Sequence, residues 1–153
     1  MSHVRIVYED FRASAPASYD ALIALGKSAE AHGLDKGLIE LVKLRASQIN
    51  GCAFCVQHHL NIARGLGVDG RKLDLVAAFR DAGIFDAREC VALAWTECLR
   101  RFSPEAEPEA AWRALAEFFS REEIVSLSVA IATINAWNRL GVGLRDRKST
   151  RLN

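Results

Sequence analysis

The chain reads as an all-α protein, a compact bundle of about six to seven helices, and three observations predict it. Apolar positions recur at intervals of three and four residues, the period of a helix face. The three prolines, Pro16, Pro104 and Pro108, stand where a helix should start or a loop should run. No stretch carries the sustained apolar–polar alternation of a half-buried strand.

Taken in order, Tyr19, Leu22, Ile23 and Leu25 make the first apolar face, closed by the His32-Gly33 stop. Leu38, Leu41, Val42, Ala46 and Ile49 make the second, entered through Asp35 as its cap and ended by Asn50-Gly51. A third helix should begin near Cys52 and run to the Gly65-Leu66-Gly67 break. Leu73, Val76, Ala77 and Phe79 mark a short fourth, entered at Asp69. Asp86 caps a fifth, with Val91, Ala94, Trp95, Cys98 and Leu99 facing inward. After a loop from Ser103 to Pro108 come Trp112, Leu115, Ala116 and Phe119. The last helix opens on Ser120 with Glu123 three positions on, a capping box, and should continue through Ile134 and Trp137 to Leu140-Gly141. Trp95, Trp112 and Trp137 all read as core, and His3 and His32 as solvated.

A chain of 153 residues has the length of one ordinary domain. It can bury most of its apolar surface without disulfides or a structural metal. The helical domain is expected over 1–144. The polar, basic, periodless segment 145–153 is expected to be disordered or foreign to the native protein. With 20 Lys and Arg against 19 Asp and Glu, the net charge is +1, which gives no case for nucleic acid or an anionic membrane. The N-terminus lacks the apolar core of a signal peptide. The longest apolar run, Ile124 to Ile134, is broken by Ser126, Ser128 and Thr133 and suits a buried helix. The chain is therefore expected in the cytoplasm, where four cysteines are poor evidence for a structural disulfide framework.

The chemistry concentrates in Gly51-Cys52-Ala53-Phe54-Cys55-Val56-Gln57-His58-His59. On a helix, Cys52, Cys55 and His59 fall three and four apart and share one stripe, whereas His58 swings away from Cys52. Asn50-Gly51 ends one helix just before the pair. Unpaired N–H groups and the positive end of the next helix dipole then favour a negative sulfur. A thiolate is the reactive form of cysteine, a histidine one turn on can take its proton, and a second thiol can close a disulfide on the oxidised sulfur.

Other readings compete. Cysteines on a helix often serve as small core hydrophobes, and Cys90 and Cys98, eight apart in an apolar helix, look like that. A non-enzymatic module, metal-binding or redox-sensing, would use Cys52, Cys55 and His59. As a zinc site the set has no evident fourth ligand, and structural zinc usually draws two ligand pairs from separate segments. Covalent haem attachment requires His directly after the second Cys, where Val56 stands. Neither a metal nor a bound cofactor is called for in the enzyme reading. Glu40 by itself reads as a solvated carboxylate that could pair with Lys36 or Lys43.

From Glu40 through Asn50-Gly51-Cys52-Ala-Phe-Cys55-Val-Gln-His-His59 the chain resembles the alkylhydroperoxidase AhpD-like proteins of the carboxymuconolactone decarboxylase superfamily. The shared pattern is a Glu, eleven residues, then Cys-x-x-Cys-x-x-x-His, met here at all four positions. The segment Ala130-Ile-Ala-Thr-Ile-Asn135-Ala-Trp137-Asn138-Arg139 looks like the family's last helix. The resemblance implies an AhpD-like helical subunit that assembles into trimers or hexamers and reduces small hydroperoxides with a dithiol, with some members drawing electrons from a lipoyl-bearing protein. By the same resemblance Cys55 is the peroxidatic thiol, Cys52 the resolving one, and His59 and Glu40 complete a proton relay. Some members carry a His where this chain has Phe54.

Overall fold

The computed structural model describes residue 6, residues 8–100 and residues 108–144. The segment 145–153, His3 and most of the Ser103–Pro108 loop lie outside the described residues. The described elements are α1 (Tyr8–Ser14), α2 (Pro16–Ser28), α3 (Lys36–Asn50), α4 (Ala53–Gly65), α5 (Gly70–Leu75), a 3-10 turn (Val76–Ala78), α6 (Phe79–Ala82), α7 (Ala87–Arg100), α8 (Pro108–Ala116) and α9 (Arg121–Leu144). Among the described residues the chain is all-helical, and its helices exceed the six to seven expected. The excess comes from α1, which the periodicity did not mark, and from the break between α5 and α6.

That break has a physical reason. Leu73, Val76 and Phe79 are buried while Ala77, expected inside, is exposed. Apolar residues three apart stay aligned when the backbone tightens to three residues per turn, so the chain passes through a 3-10 turn to keep all three inside.

The caps expected from sequence are made. Asp35 accepts from the Leu38 N–H at 2.8 Å, and Asp69 accepts from the Arg71 N–H at 2.9 Å. Ser120 and Glu123 exchange hydrogen bonds of 3.2 and 2.8 Å, a closed capping box. Asp86 and Glu89 form a second such box at the head of α7.

α3 is the axis of the bundle and packs against α4, α7 and α9. It is buried nearly all round, as Leu38, Leu41, Val42, Leu44 and Ala46 show, the pattern of a helix with neighbours on every side. Leu93 of α7, Leu115 of α8 and Leu127 and Ile131 of α9 complete the core. Full burial of such a side chain stabilises by roughly 1.5–3 kcal/mol. The inward face of α7 is rotated from the expected one: Ala92, Leu93, Trp95 and Thr96 are most buried. Cys98 and Leu99 only flank the core.

Two further expectations are corrected and a third is qualified. Trp112 is 41% exposed and meets Trp95 edge-on, because short α8 lies over α7 with an outer face in solvent. His32 is exposed, as expected, but it is not without a partner: it shares a 2.8 Å hydrogen bond with Ser126 on α9. α9 does not stop at Gly141 but runs on to Leu144. Among the described residues no helix is long and apolar enough to cross a membrane.

Candidate active site

The site is built at the junction of α3 and α4. Gly51 adopts φ +68, a left-handed conformation that a residue with a Cβ rarely takes. Its N–H bonds to the Gln48 carbonyl at 3.2 Å, and the Cys52 N–H bonds to the Ser47 carbonyl at 3.1 Å. This pair of bonds is a Schellman motif, which satisfies the last carbonyls of α3 and turns the chain at once into α4. Cys52 therefore ends one helix and caps the next. It is not inside the first turn of α4 but at its N-cap, where its sulfur accepts the Cys55 N–H at 3.3 Å. That donor and the helix dipole both favour negative charge on the Cys52 sulfur.

Cys52 and Cys55 are joined by a disulfide across 5.3 Å of Cα–Cα distance, while Cys90 and Cys98 are free thiols. Both bonded cysteines are buried, with Ala46, Ile134 and Trp137 packed about them. Only Cys55 of the two lines the adjoining cleft, a space of about 690 Å³.

His59 lies one turn after Cys55 on α4 and opens on the same cleft. Its Nδ1–H donates to Glu40 Oε2 at 2.6 Å, and Lys43 Nζ donates to the other Glu40 oxygen at 3.0 Å. Lys36 pairs instead with Glu30, at 3.5 Å. Burial works against a charge on Glu40, but the bond from His59 and the Lys43 ammonium outweigh it and hold the carboxyl below its ordinary value. An ionised carboxylate only accepts, so it fixes the proton on Nδ1 and leaves Nε2 as the nitrogen free to exchange protons. The four residues expected from sequence thus meet in one place: Cys52, Cys55, His59 and Glu40.

Behind them a polar network ties α3 to α9. Asn50 Nδ2 donates to Asn135 Oδ1 at 2.8 Å and to Asn138 Oδ1 at 2.9 Å. Asn138 donates to Ser47 at 3.1 Å, and Ser47 to the Lys43 carbonyl at 2.8 Å. Buried amides satisfied in this way fix the register of the two helices.

Sequence reasoning missed an aromatic cluster beside the sulfurs, of which Tyr8, Phe11 and Trp137 line the cleft. Tyr8 and Phe11 of α1 and Tyr19 of α2 gather around Trp137, with ring centroids 5.6–6.2 Å from it. Tyr8 also meets Phe54 at 5.7 Å and donates to the Tyr19 hydroxyl at 3.0 Å. Burial and that bond push the Tyr8 phenol above its ordinary range, so it stays neutral. His58, set aside on helical geometry, also lines the cleft, stacked on Phe54 at 5.9 Å and edge-on to His59 at 5.1 Å. Burial and the neighbouring His59 hold its pKa below the usual value. The last missed residue is Gly141, which reads as a helix stop but is a point of close approach. A Cβ there would lie 3.2 Å from the Cys52 sulfur and 3.6 Å from the Cys55 sulfur. Its signal was the spacing Ile134, Trp137, Gly141, one face of α9.

Among the described residues no group of three or more His, Cys, Asp and Glu side chains is arranged to hold a metal ion. A protein of unknown function from Agrobacterium tumefaciens, described as a candidate antioxidant defence protein AhpD, is 34% identical with a TM-score of 0.86, over 97% of this chain and 99% of that one. An uncharacterized peroxidase-related protein with an alkylhydroperoxidase AhpD core from Ralstonia eutropha JMP134 is 26% identical with a TM-score of 0.74, over 90% and 75%. The uncharacterized protein YdfG of Bacillus subtilis (strain 168) is 26% identical over 90% of this chain and 93% of its own. The model of the carboxymuconolactone decarboxylase family matches residues 16–97, and the chain belongs to that family, on its AhpD-like branch.

Proposed function

We propose that the protein is a thiol-dependent peroxidase that reduces small hydroperoxides at Cys55 and is returned to the dithiol by an external dithiol reductant. The observation that carries this reading is a Cys52–Cys55 disulfide set beside a buried Glu40–His59 pair on one cleft. The AhpD and peroxidase descriptions of its relatives support it.

In the reduced protein, His59 Nε2 takes the Cys55 proton, and Glu40 on Nδ1 stabilises the imidazolium that forms. The Cys55 thiolate attacks the outer oxygen of the hydroperoxide. An S–O bond forms, the O–O bond breaks, and the alcohol leaves with the proton from His59. Cys52, whose sulfur is favoured as an anion by the Cys55 N–H, then gives its thiol proton to the departing hydroxyl and attacks the Cys55 sulfenic sulfur; the S–S bond forms, the S–O bond breaks and water leaves. An external dithiol, free or lipoyl-borne, returns two electrons and two protons and becomes a disulfide itself. Its attack on the Cys55 sulfur from the cleft expels Cys52 as a thiolate at the helix N-cap. The same chemistry suits the cytoplasm, where dithiol reductants are kept reduced. Leu66, Trp112, Phe118 and Val125 are large apolar side chains left exposed, which fits assembly into a homotrimer or hexamer, checked by sedimentation.

Single-turnover assays of thiol variants with cumene hydroperoxide test the reading. Cys55→Ser should not react at all. Cys52→Ser should react once and leave a sulfenic acid on Cys55, trapped by a dimedone-type reagent and located by peptide mapping. A sulfenic acid on Cys52 in the Cys55→Ser protein would reverse the two roles. Retained zinc, with unfolding on chelation, would point instead to a metal-binding module.

A further inference from the structure

α9 carries two glycines near its end, Gly141 and Gly143, and they differ in one respect. Each costs a helix interior about 1 kcal/mol relative to Ala. At Gly143 a Cβ would meet nothing within 4 Å, so nothing local forbids Ala there. At Gly141 the same Cβ would stand 3.2 Å from the Cys52 sulfur and 3.6 Å from the Cys55 sulfur, with no other side chain within 4 Å. Carbon atoms already repel inside about 3.5 Å, and sulfur is larger. The bare backbone of α9 is thus the lid over the sulfur pair. Neither sulfur can retreat freely: Cys52 is 1% and Cys55 5% exposed, with Ala46, Ile134 and Trp137 packed around them.

The sulfur pair has to exist in two sizes. Bonded sulfurs stand about 2.05 Å apart. Two thiols must separate to van der Waals contact, more than about 3.5 Å, inside the same walls. We propose that Gly141 is a positioning residue whose missing side chain leaves the room in which the Cys52–Cys55 bond opens, and that it thereby sets the balance between disulfide and dithiol. The reaction concerned is complete as written. The protein disulfide and an external dithiol exchange, one S–S bond breaks in the protein and one forms in the reductant, and two electrons with two protons pass to Cys52 and Cys55. A methyl group at position 141 already presses on the bonded sulfurs, and the dithiol, the larger of the two states within the same walls, is pressed harder, so the methyl group favours the disulfide.

The inference rests on the proposed redox role of the pair, and the experiment separates the two. Native, Gly141→Ala and Gly143→Ala proteins are equilibrated in buffers of graded reduced and oxidised dithiothreitol, the thiols are alkylated, and the reduced fraction is read by mass spectrometry. Gly141→Ala should shift the equilibrium towards disulfide by between about five-fold and a hundred-fold, the range that one added carbon costs in a filled core. Gly143→Ala should leave it where the native protein has it. Native protein whose pair never reduces sinks the proposed function. A native pair that cycles, with Gly141→Ala unchanged or shifted towards dithiol, overturns this inference alone. Thermal unfolding of Gly141→Ala in native and Cys52→Ala backgrounds covers the case of a poorly folding variant. The methyl group should stabilise, by helix propensity, only where the Cys52 sulfur is gone. Equal destabilisation in both backgrounds, or failure to fold in both, would place the conflict elsewhere and overturn the proposal.

Discussion

Two groups of side chains gathered about the cleft are made differently. In one, Glu40, Cys52, Cys55 and His59 lie within a single helix–turn–helix, are buried, and are joined by a disulfide and directed hydrogen bonds. In the other, Tyr8, Phe11, Tyr19 and Trp137 come from three helices and meet through ring contacts at 5.6–6.4 Å, with Tyr8 41% exposed. Directed bonds fix protons and sulfurs to within tenths of an ångström, as relay chemistry requires. Stacked rings give area without a fixed geometry, which suits holding an organic group of variable shape. Damage to the first group should therefore fall on the chemical step, and damage to the second on substrate recognition.

The largest effect should come from the relay. His59→Ala removes the base for Cys55, and such help typically contributes roughly 10²–10⁴-fold. Stopped-flow oxidation at neutral pH should show a loss of that size in the rate of thiol consumption, shrinking as pH rises and solvent deprotonates Cys55 unaided. Native rates in His59→Ala would leave the helix N-terminus as the sole activator and dissolve the distinction between the two groups.

Substitution in the aromatic cluster should act on binding. Phe11→Ala removes a ring that meets Trp137 at 6.2 Å, and loss of such a contact amounts to about 1.5–3 kcal/mol, or ten-fold to a hundred-fold. Steady-state kinetics should show that rise in KM for cumene hydroperoxide, with kcat nearly kept, and a smaller rise for hydrogen peroxide. A fall in kcat of the same size for both peroxides would mean that the cluster positions the sulfurs and belongs with the relay.

The same contrast decides what was legible in the sequence. Glu40 and His59 are 19 positions apart and meet through one turn, so spacing and helical geometry suffice to join them. The caps at Asp35, Asp69, Asp86 and Ser120 are local and were read in the same way. Tyr8 meets Trp137 only because α1 folds back on the far end of α9, and nothing in either segment specifies the other. At seven residues α1 is too short for periodicity to reveal. Gly141 was misread because a glycine near a helix end has two physical explanations, a stop or a close approach, and only the position of the sulfurs chooses between them. The break at Val76 was hidden because a spacing of three is shared by α and 3-10 geometry.

The smallest effect concerns the carboxylate that joins relay to scaffold. The Glu40 carboxyl is held below its ordinary value of 4.5, against the cost of burial, by the bond from His59 and the Lys43 ammonium. In the unfolded chain it returns to that ordinary value, so at mildly acid pH the unfolded state binds more protons. The stability due to the ionised Glu40 is then fully present above the ordinary carboxyl value and is lost as pH falls through the folded-state one. Glu40→Gln keeps the shape, gives up the charge-assisted hydrogen bond, and should lower stability at neutral pH by about 1–3 kcal/mol. Urea unfolding of both proteins across pH checks it: the gap should stay level down to about pH 5 and close below that. A gap that widens as pH falls would mean that Glu40 is held protonated in the folded protein. The carboxyl would then donate to His59 instead of orienting it, Nδ1 would be the acceptor, and Nε2 would already carry its proton. His59 could no longer take the Cys55 proton through Nε2, and the order of proton transfers proposed for the cycle would have to run the other way.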